Sequence, residues 1–252
     1  MLRQIGVAAG AVVAMTIPAV AEAVCQRVEH DGQGYVICTV SAEQEPRLQL
    51  WLTAPDGRPF GNFDRIRASL PQGAGLTFAM NAGMYHADRS PVGLFIEGGD
   101  EKSALVTAEG GGNFGMLPNG VFCAGGARPF QVIESRAFAQ ARPDCRIASQ
   151  SGPMLVIDGE LHPRFLTDSD SRYIRNGVGV APDGQTAWFA ISDRPVTFHE
   201  FGRLFRDALK VQQALYFDGS ISRLYAPELN RADFGRTMGP VIGLVDEPPA
   251  GG

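Results

Sequence analysis

Apolar positions along the chain fall mostly in short runs of four to seven residues, bounded by glycine, proline, asparagine and aspartate. That is the pattern of strands rather than of long helices. The runs are Tyr35–Ser41, Leu48–Thr53, Leu76–Met80, Val92–Glu97, Gly120–Cys123, Met154–Ile157, Gly177–Ala181, Ala187–Ser192, Ala214–Phe217 and Val241–Val245. Asp-Gly occurs five times, at positions 31, 56, 158, 183 and 218, mostly where one run ends and another begins, so antiparallel hairpins are expected to dominate. The clearest helix starts at Thr197. Thr197 and Glu200 form a capping box, and Phe198, Phe201, Leu204, Phe205, Ala208 and Leu209 share one face as far as about Lys210. Weaker helical spacing runs over 64–70 and 134–141, the second stopped by Pro143. No internal repeat is visible. The pattern predicts one α+β domain, a mixed and largely antiparallel sheet with a few flanking helices.

The first 23 residues stand apart from that domain. Arg3 precedes an uncharged apolar stretch from Ile5 to Ile17, Pro18 breaks it, and Ala21-Glu22-Ala23 has the small-x-small form of a signal-peptidase site. A membrane anchor would need a longer apolar run. Val24 stands where a lipoprotein would need a small residue before Cys25. The chain is therefore expected to be exported, periplasmic or secreted, with residues 24–252 as the folded domain. An oxidising compartment lets its four cysteines pair. A two-residue turn at Asp31-Gly32 sets His30 opposite Gln33 and hence Cys25 opposite Cys38, a non-hydrogen-bonded rung about 4.5 Å wide and within disulfide reach. Cys25–Cys38 is the predicted bond and Cys123–Cys145 follows by elimination; the alternative is four buried thiols.

Composition narrows the function. Glycine and proline, 31 and 17 residues, make about a fifth of the chain against a usual share of roughly 12%. No Gly-X-Y period makes it collagen, and 44% hydrophobic residues with a formal charge of −5 do not describe a disordered chain. The acidic balance without a basic run argues against nucleic acid and anionic membranes as partners. Gly110-Gly111-Gly112-Asn113-Phe114-Gly115 matches the letters of a dinucleotide loop, but Pro118 and Asn119-Gly120 follow where a helix would have to open. P-loop, nucleophile-elbow, H-E-x-x-H and C-x-x-C motifs are absent from the sequence, so neither a cofactor nor a metal is expected. Of the four histidines, His86 and His162 are weak candidates in loops, and His30 and His199 belong beside a turn and in a helix's first turn.

The informative segments are polar clusters at the ends of apolar runs. Leu76–Met80 leads into Asn81-Ala82-Gly83-Met84-Tyr85, Arg146-Ile147-Ala148 into Ser149-Gln150-Ser151-Gly152-Pro153, and Ala214–Phe217 into Asp218-Gly219-Ser220-Ile221-Ser222. Small residues there let a ligand approach the backbone, while Asn, Gln, Ser and Asp supply directional hydrogen bonds. Each alone reads equally as an ordinary turn, and Asp218-Gly219 as one more hairpin. Arg175 stands between a polar run, 167–171, and Asn176-Gly177-Val178-Gly179-Val180, a placement suited to an anion.

Taken in order, these clusters with Pro91-Val92-Gly93-Leu94, Gly112-Asn113-Phe114, Pro118-Asn119-Gly120-Val121-Phe122 and Arg175-Asn176-Gly177-Val178-Gly179 resemble the phosphodiester glycosidase family over residues 74–245. The likeness is closer to bacterial exported members than to the animal enzyme, whose glycine runs Ala82 and Ile221 interrupt here. The resemblance implies hydrolysis of a sugar-1-phosphodiester between the anomeric carbon and oxygen, releasing a phosphomonoester. A phosphate leaves as a stable anion and needs electrostatic help more than a proton donor. Arg175 is the expected guanidinium for that role, and Asp218 the expected base or nucleophile at the anomeric carbon. Asn81, Gln150 and Ser151 are expected to hold sugar hydroxyls or phosphate oxygens and Tyr85 to stack on the ring. Gly83, Asn113, Asn119, Asn176, Gly219, Ser220 and Ser222 complete the expected substrate site. The implied partner is a glycan or sugar phosphate of the cell envelope, with no membrane once the leader is removed. Two other classes compete: a non-catalytic envelope glycan-binding protein and a metal-dependent phosphodiesterase.

Overall fold

Turn chemistry sets the first register. The computed structural model describes residues 24–218 and 220–246; the expected leader, residues 1–23, and Gly219 lie outside the described residues. Asp31 and Gly32 both take positive φ, 52° and 70°, the two-residue hairpin geometry. His30 accordingly faces Gln33 and Cys25 faces Cys38. Those cysteines are bonded across the rung at a Cα separation of 3.9 Å, and Cys123 is bonded to Cys145 at 5.5 Å.

The strands form three sheets. The largest runs, in spatial order, through Cys25–His30, Gln33–Ser41, Thr186–Ser192, Asn176–Val180, Gln213–Asp218, Met154–Ile157 and Glu160–Leu161. A second contains Arg231–Ala232, Leu224–Ala226, Leu76–Asn81, Val241–Val245 and Leu48–Trp51. The third contains Asp100–Ser103, Phe95–Glu97, Ile147–Ser151, Gly120–Ala124 and Phe130–Glu134. Neighbours pair antiparallel in all three. Their inner faces share one core, in which Phe189 of the large sheet lies 5.5 Å from Phe78 of the second and 5.5 Å from Phe122 of the third. Alternation along each strand sends the other residues outward, and a helix covers each outer face. Phe201, Leu204 and Phe205 cover the large sheet, Phe63 and Ile66 the second, and Phe138 the third. No helix among the described residues is long and apolar enough to cross a membrane.

The α+β prediction holds, and the differences from it have local causes. The Thr197 capping box is present, but regular α-helix covers only Phe198–Arg203 before a wider turn over Leu204–Ala208, closed by Leu209 N–H donating to Leu204 O at 3.1 Å. The extra residue in that turn shifts the phase of the face, so Ala208, expected inside, is exposed. The strands on either side of Asp218-Gly219 do not pair with each other. Gln213–Asp218 pairs with the 176–180 and 154–157 strands, and the next strand, Leu224–Ala226, belongs to another sheet, paired with Leu76–Asn81. Asp100–Ser103 escaped the hydrophobic pattern because it is a polar edge strand.

Candidate functional site

Four strand ends from the three sheets meet in one polar knot. Asn81 closes the 76–81 strand, Asn176 opens the 176–180 strand, Asp218 closes the 213–218 strand and Ser151 closes the 147–151 strand. Asn176 Nδ2 donates to Asn81 O at 2.7 Å, and Asn81 Nδ2 donates to Asn176 Oδ1 at 3.2 Å. The same Oδ1 accepts from the Asp218 N–H at 3.2 Å, while Ser151 Oγ donates to Phe217 O at 2.8 Å. Asn81 Oδ1 accepts from Arg223 N–H at 3.0 Å, and the Ser222 hydroxyl lies 2.5 Å from Asp218 O. Buried amides whose partners are one another and the backbone hold a loop rigidly. Here they hold Asp218, Ser222 and Arg223, and Asp218 Oδ1 accepts from the Ser220 N–H at 2.9 Å.

Asp218 opens onto a cleft of about 380 Å³ lined by Tyr85, Asn113, Ser220 and Arg236, with Met84, Val92 and Ile221 as its apolar wall. Tyr85 is carried there by a short excursion in which Tyr85 bridges Pro91 and Val92 N–H donates to Met84 O at 3.0 Å. A side chain at Gly239 would collide with its ring, and the Arg89 guanidinium lies 5.3 Å from the ring centre. The half-buried ring lines the cleft and ends in its hydroxyl. That hydroxyl is buried without a hydrogen-bond partner among the described residues. Burial, and after it the Asp218 charge, push its pKa up, against the pull of Arg89, Arg223 and Arg236. Asn113 stands exposed at the rim on a turn pinned by Asn119, whose Nδ2 donates to Phe114 O at 2.9 Å. A second hollow of about 330 Å³ adjoins the first through Ser220, Ile221 and Arg236 and adds Ile174, Ser222 and Arg223. Burial lowers the Arg223 pKa, while Tyr85 and Asp233 favour its charged form.

The structure does not bring every expected residue to this cleft. Arg175 is fully buried on the other face of the large sheet. Its guanidinium lies 3.6 Å from the centre of the Phe198 ring and donates to Val196 O at 2.9 Å, Ser171 O at 3.0 Å and Tyr216 Oη at 3.3 Å. Residue 175 precedes Asn176 on an extended strand, so the two side chains point to opposite faces and only Asn176 reaches the knot. Gln150 is likewise engaged by protein: its Oε1 accepts from Leu94 and Val106 N–H, each at 3.0 Å, and its Nε2 donates to Ser135 Oγ at 2.8 Å. Gly83 and Gly152, read as room for a ligand, instead make room for Ser149 and Asn119, as Gly93 and Gly177 do for Gln150 and the backbone of Leu215. His162 is buried and His86 exposed, and neither lines the cleft. No group of three or more His, Cys, Asp or Glu side chains placed to hold a metal occurs among the described residues.

Sequence reasoning missed Arg236 and Arg223. Both lie outside the polar clusters at strand ends, Arg223 one residue beyond the last of them and Arg236 in an irregular stretch before Val241. Asp233 brings that stretch inward, its Oδ2 accepting from Leu224 N–H at 2.9 Å. The Asp-Phe-Gly-Arg order of 233–236 carries no periodicity that would have marked it.

A family model for phosphodiester glycosidase matches residues 74–245. The chain is 35% identical over 187 residues to the uncharacterized protein YigE of Escherichia coli (strain K12), covering 74% of this chain and 72% of that one. Among solved structures it is similar to the zebrafish N-acetylglucosamine-1-phosphodiester alpha-N-acetylglucosaminidase catalytic domain, auto-inhibited by its pro-peptide. That superposition has a TM-score of 0.60 at 13% identity, over 88% of this chain and 82% of the other. A putative exported protein of Burkholderia pseudomallei K96243 gives 0.51 at 12% identity, over 84% and 74%. At such identities the two structures speak for the fold alone. The matched segment runs from the strand that ends at Asn81 through the knot and both hollows to the last strand, and the chain belongs to the phosphodiester glycosidase family.

Proposed function

We propose that this protein is an exported hydrolase of sugar-1-phosphodiesters that breaks the bond between the anomeric carbon and oxygen. The observation that carries the reading is the placement of Asp218 and Arg236 on one cleft, in a chain of this family. The sugar lies against Asp218, Asn113 and Tyr85, and the phosphate lies toward Arg236 and Arg223. Water adds to the anomeric carbon, the carbon–oxygen bond breaks with its electron pair going to oxygen, and the phosphomonoester departs. The guanidinium groups stabilise charge that is already delocalised, so the second carboxyl group of ordinary glycosidases is dispensable. Asp218 serves as base for the attacking water or as nucleophile, and the first-formed anomer separates these: inversion for the base, retention for the nucleophile. Asn81, Asn176, Gln150 and Ser151 act as supports that hold the segment carrying Asp218 and the loops beside it. The apolar leader and the two disulfides support export.

The test is incubation with a panel of sugar-1-phosphodiesters in oxygen-18 water. The label is expected in the released sugar and not in phosphate. Asp218→Asn is expected to lower kcat by about 10²–10⁴-fold with an unchanged melting temperature. Label in phosphate, together with loss of activity in chelator, would establish a metal-dependent phosphodiesterase instead. Saturable glycan binding without release of sugar would make the cleft a binding site.

A further inference from the structure

The second hollow differs from the first in chemistry. Its lining among the described residues is Ile174, Ser220, Ile221, Ser222, Arg223 and Arg236, with two cations and no carboxylate. Sugars are held by the paired donors and acceptors of carboxylates and amides, and this lining has none. The large hydrophobic residues exposed on the described surface are Leu166, Tyr173, Ile174 and Phe234. Any one of them alone would be ordinary. All four, however, lie on the two segments that build this hollow: the 162–175 connection that delivers Ile174, and the 233–237 stretch that delivers Arg236. Tyr173 turns to the far face, where its ring lies 5.4 Å from the Arg175 guanidinium, whereas Phe234 is 94% exposed two residues from Arg236, its apolar surface unaccounted for by the fold.

We infer that the leaving side of the substrate is amphiphilic: a phosphate held by Arg223 and Arg236, carrying an aliphatic chain that lies over Ile174 and Phe234. The inference rests on the reading of the cleft given above and deepens it, from a sugar phosphodiester to a glycosyl phosphate of a lipid-like alcohol. Positive charge within the hollow and apolar side chains beyond it match the order of phosphate and chain in such a molecule.

Calorimetric titration with octyl phosphate, below its micellar concentration, and with ethyl phosphate reads this without turnover. Octyl phosphate is expected to bind at least tenfold more tightly, the change that two buried methylenes give. In the Ile174→Ser, Phe234→Ser double variant that ratio falls toward one while ethyl phosphate affinity holds, and Arg236→Ala weakens both probes together. Equal affinities in the unaltered protein, no binding of either probe, or an octyl preference untouched by the double variant would overturn the inference. Hydrolysis then separates the two claims. If methyl and octyl diesters of the active sugar are cleaved with equal kcat/KM, the glycosidase reading stands and the aglycone inference falls. If no diester is cleaved but the octyl preference is present, the glycosidase reading falls and the hollow remains a site for an alkyl phosphate.

Discussion

At the residue scale, burial and partner count separate chemistry from scaffolding. Arg175 carries the charge expected of an anion site, yet its donors are spent on Val196, Ser171 and Tyr216 and its flat face on Phe198. Burial drives its pKa down, and the Tyr216 hydroxyl partly offsets this. Lysine cannot reproduce the forked donors or the stacking. Arg175→Lys is therefore expected to lower stability by about 1.5–3 kcal/mol, the worth of a charged hydrogen bond, read from the urea midpoint. His162 stands in the same stack, 5.0 Å from Phe165, which is 5.0 Å from Phe198. It accepts from Arg164 N–H on Nδ1, and its Nε2 lies 3.2 Å from Leu117 O, so the neutral ring suits its site. Burial lowers its pKa below the ordinary 6.5. Between the two values the unfolded chain binds the proton and the folded one does not, so stability is fully present above 6.5 and is lost as the pH falls through the folded value. The melting temperature is expected to drop on acidification below about pH 6.5, with a shallower slope in His162→Gln. An identical slope in the variant would remove the assignment.

At the element scale, caps and close packing decide how short elements persist. The helix over the large sheet has only six regular residues, too few to stand by propensity. Thr197 Oγ1 accepts from Glu200 N–H at 3.1 Å and Glu200 Oε2 accepts from Thr197 N–H at 2.8 Å, while Arg172 donates to both carboxylate oxygens of Glu200. Thr197→Ala is expected to cost about 1 kcal/mol, seen as a lower urea midpoint at constant slope. The helix sits close because Gly179 leaves the strand beneath it bare: a Cβ there would lie 2.7 Å from the Phe205 ring. The Asn-Gly-Val-Gly-Val strand thus uses its glycines on the helix side, and only Asn176 serves the site.

At the scale of the whole molecule, the site exists because three sheets end at one place. Asn176 is the joint, receiving from Asn81 of the second sheet and from the backbone of Asp218 in its own. Asn176→Ala is expected to lower stability by about 1–3 kcal/mol by leaving those buried groups unpaired. It should also lower kcat more than it raises KM, because the segment bearing Asp218 loses its anchor while the walls of the cleft remain. A change in KM alone would show that Asn176 touches substrate rather than positioning the loop. Local chemistry sufficed for everything that a few neighbouring residues decide. The hairpin at Asp31-Gly32 and the bond from Cys25 to Cys38 follow from turn geometry and a period of two, the helix start at Thr197 from its cap, and the α+β class from short runs between turns. The polar ends of strands named Asp218, Tyr85 and Ser220, and the resemblance named Asn113; all four line the cleft. Sequence order did not say which sheet each strand would join, so it could not show that Asn81 and Gln150 turn inward to hold backbone. Nor could it show that Arg175 falls on the far face, that Arg223 lines the adjoining hollow or that Arg236 arrives at the cleft from a stretch without periodicity. Those outcomes depend on contacts between residues far apart in the chain, where burial of the apolar faces sets which strands meet and the remaining polar groups take the partners that result.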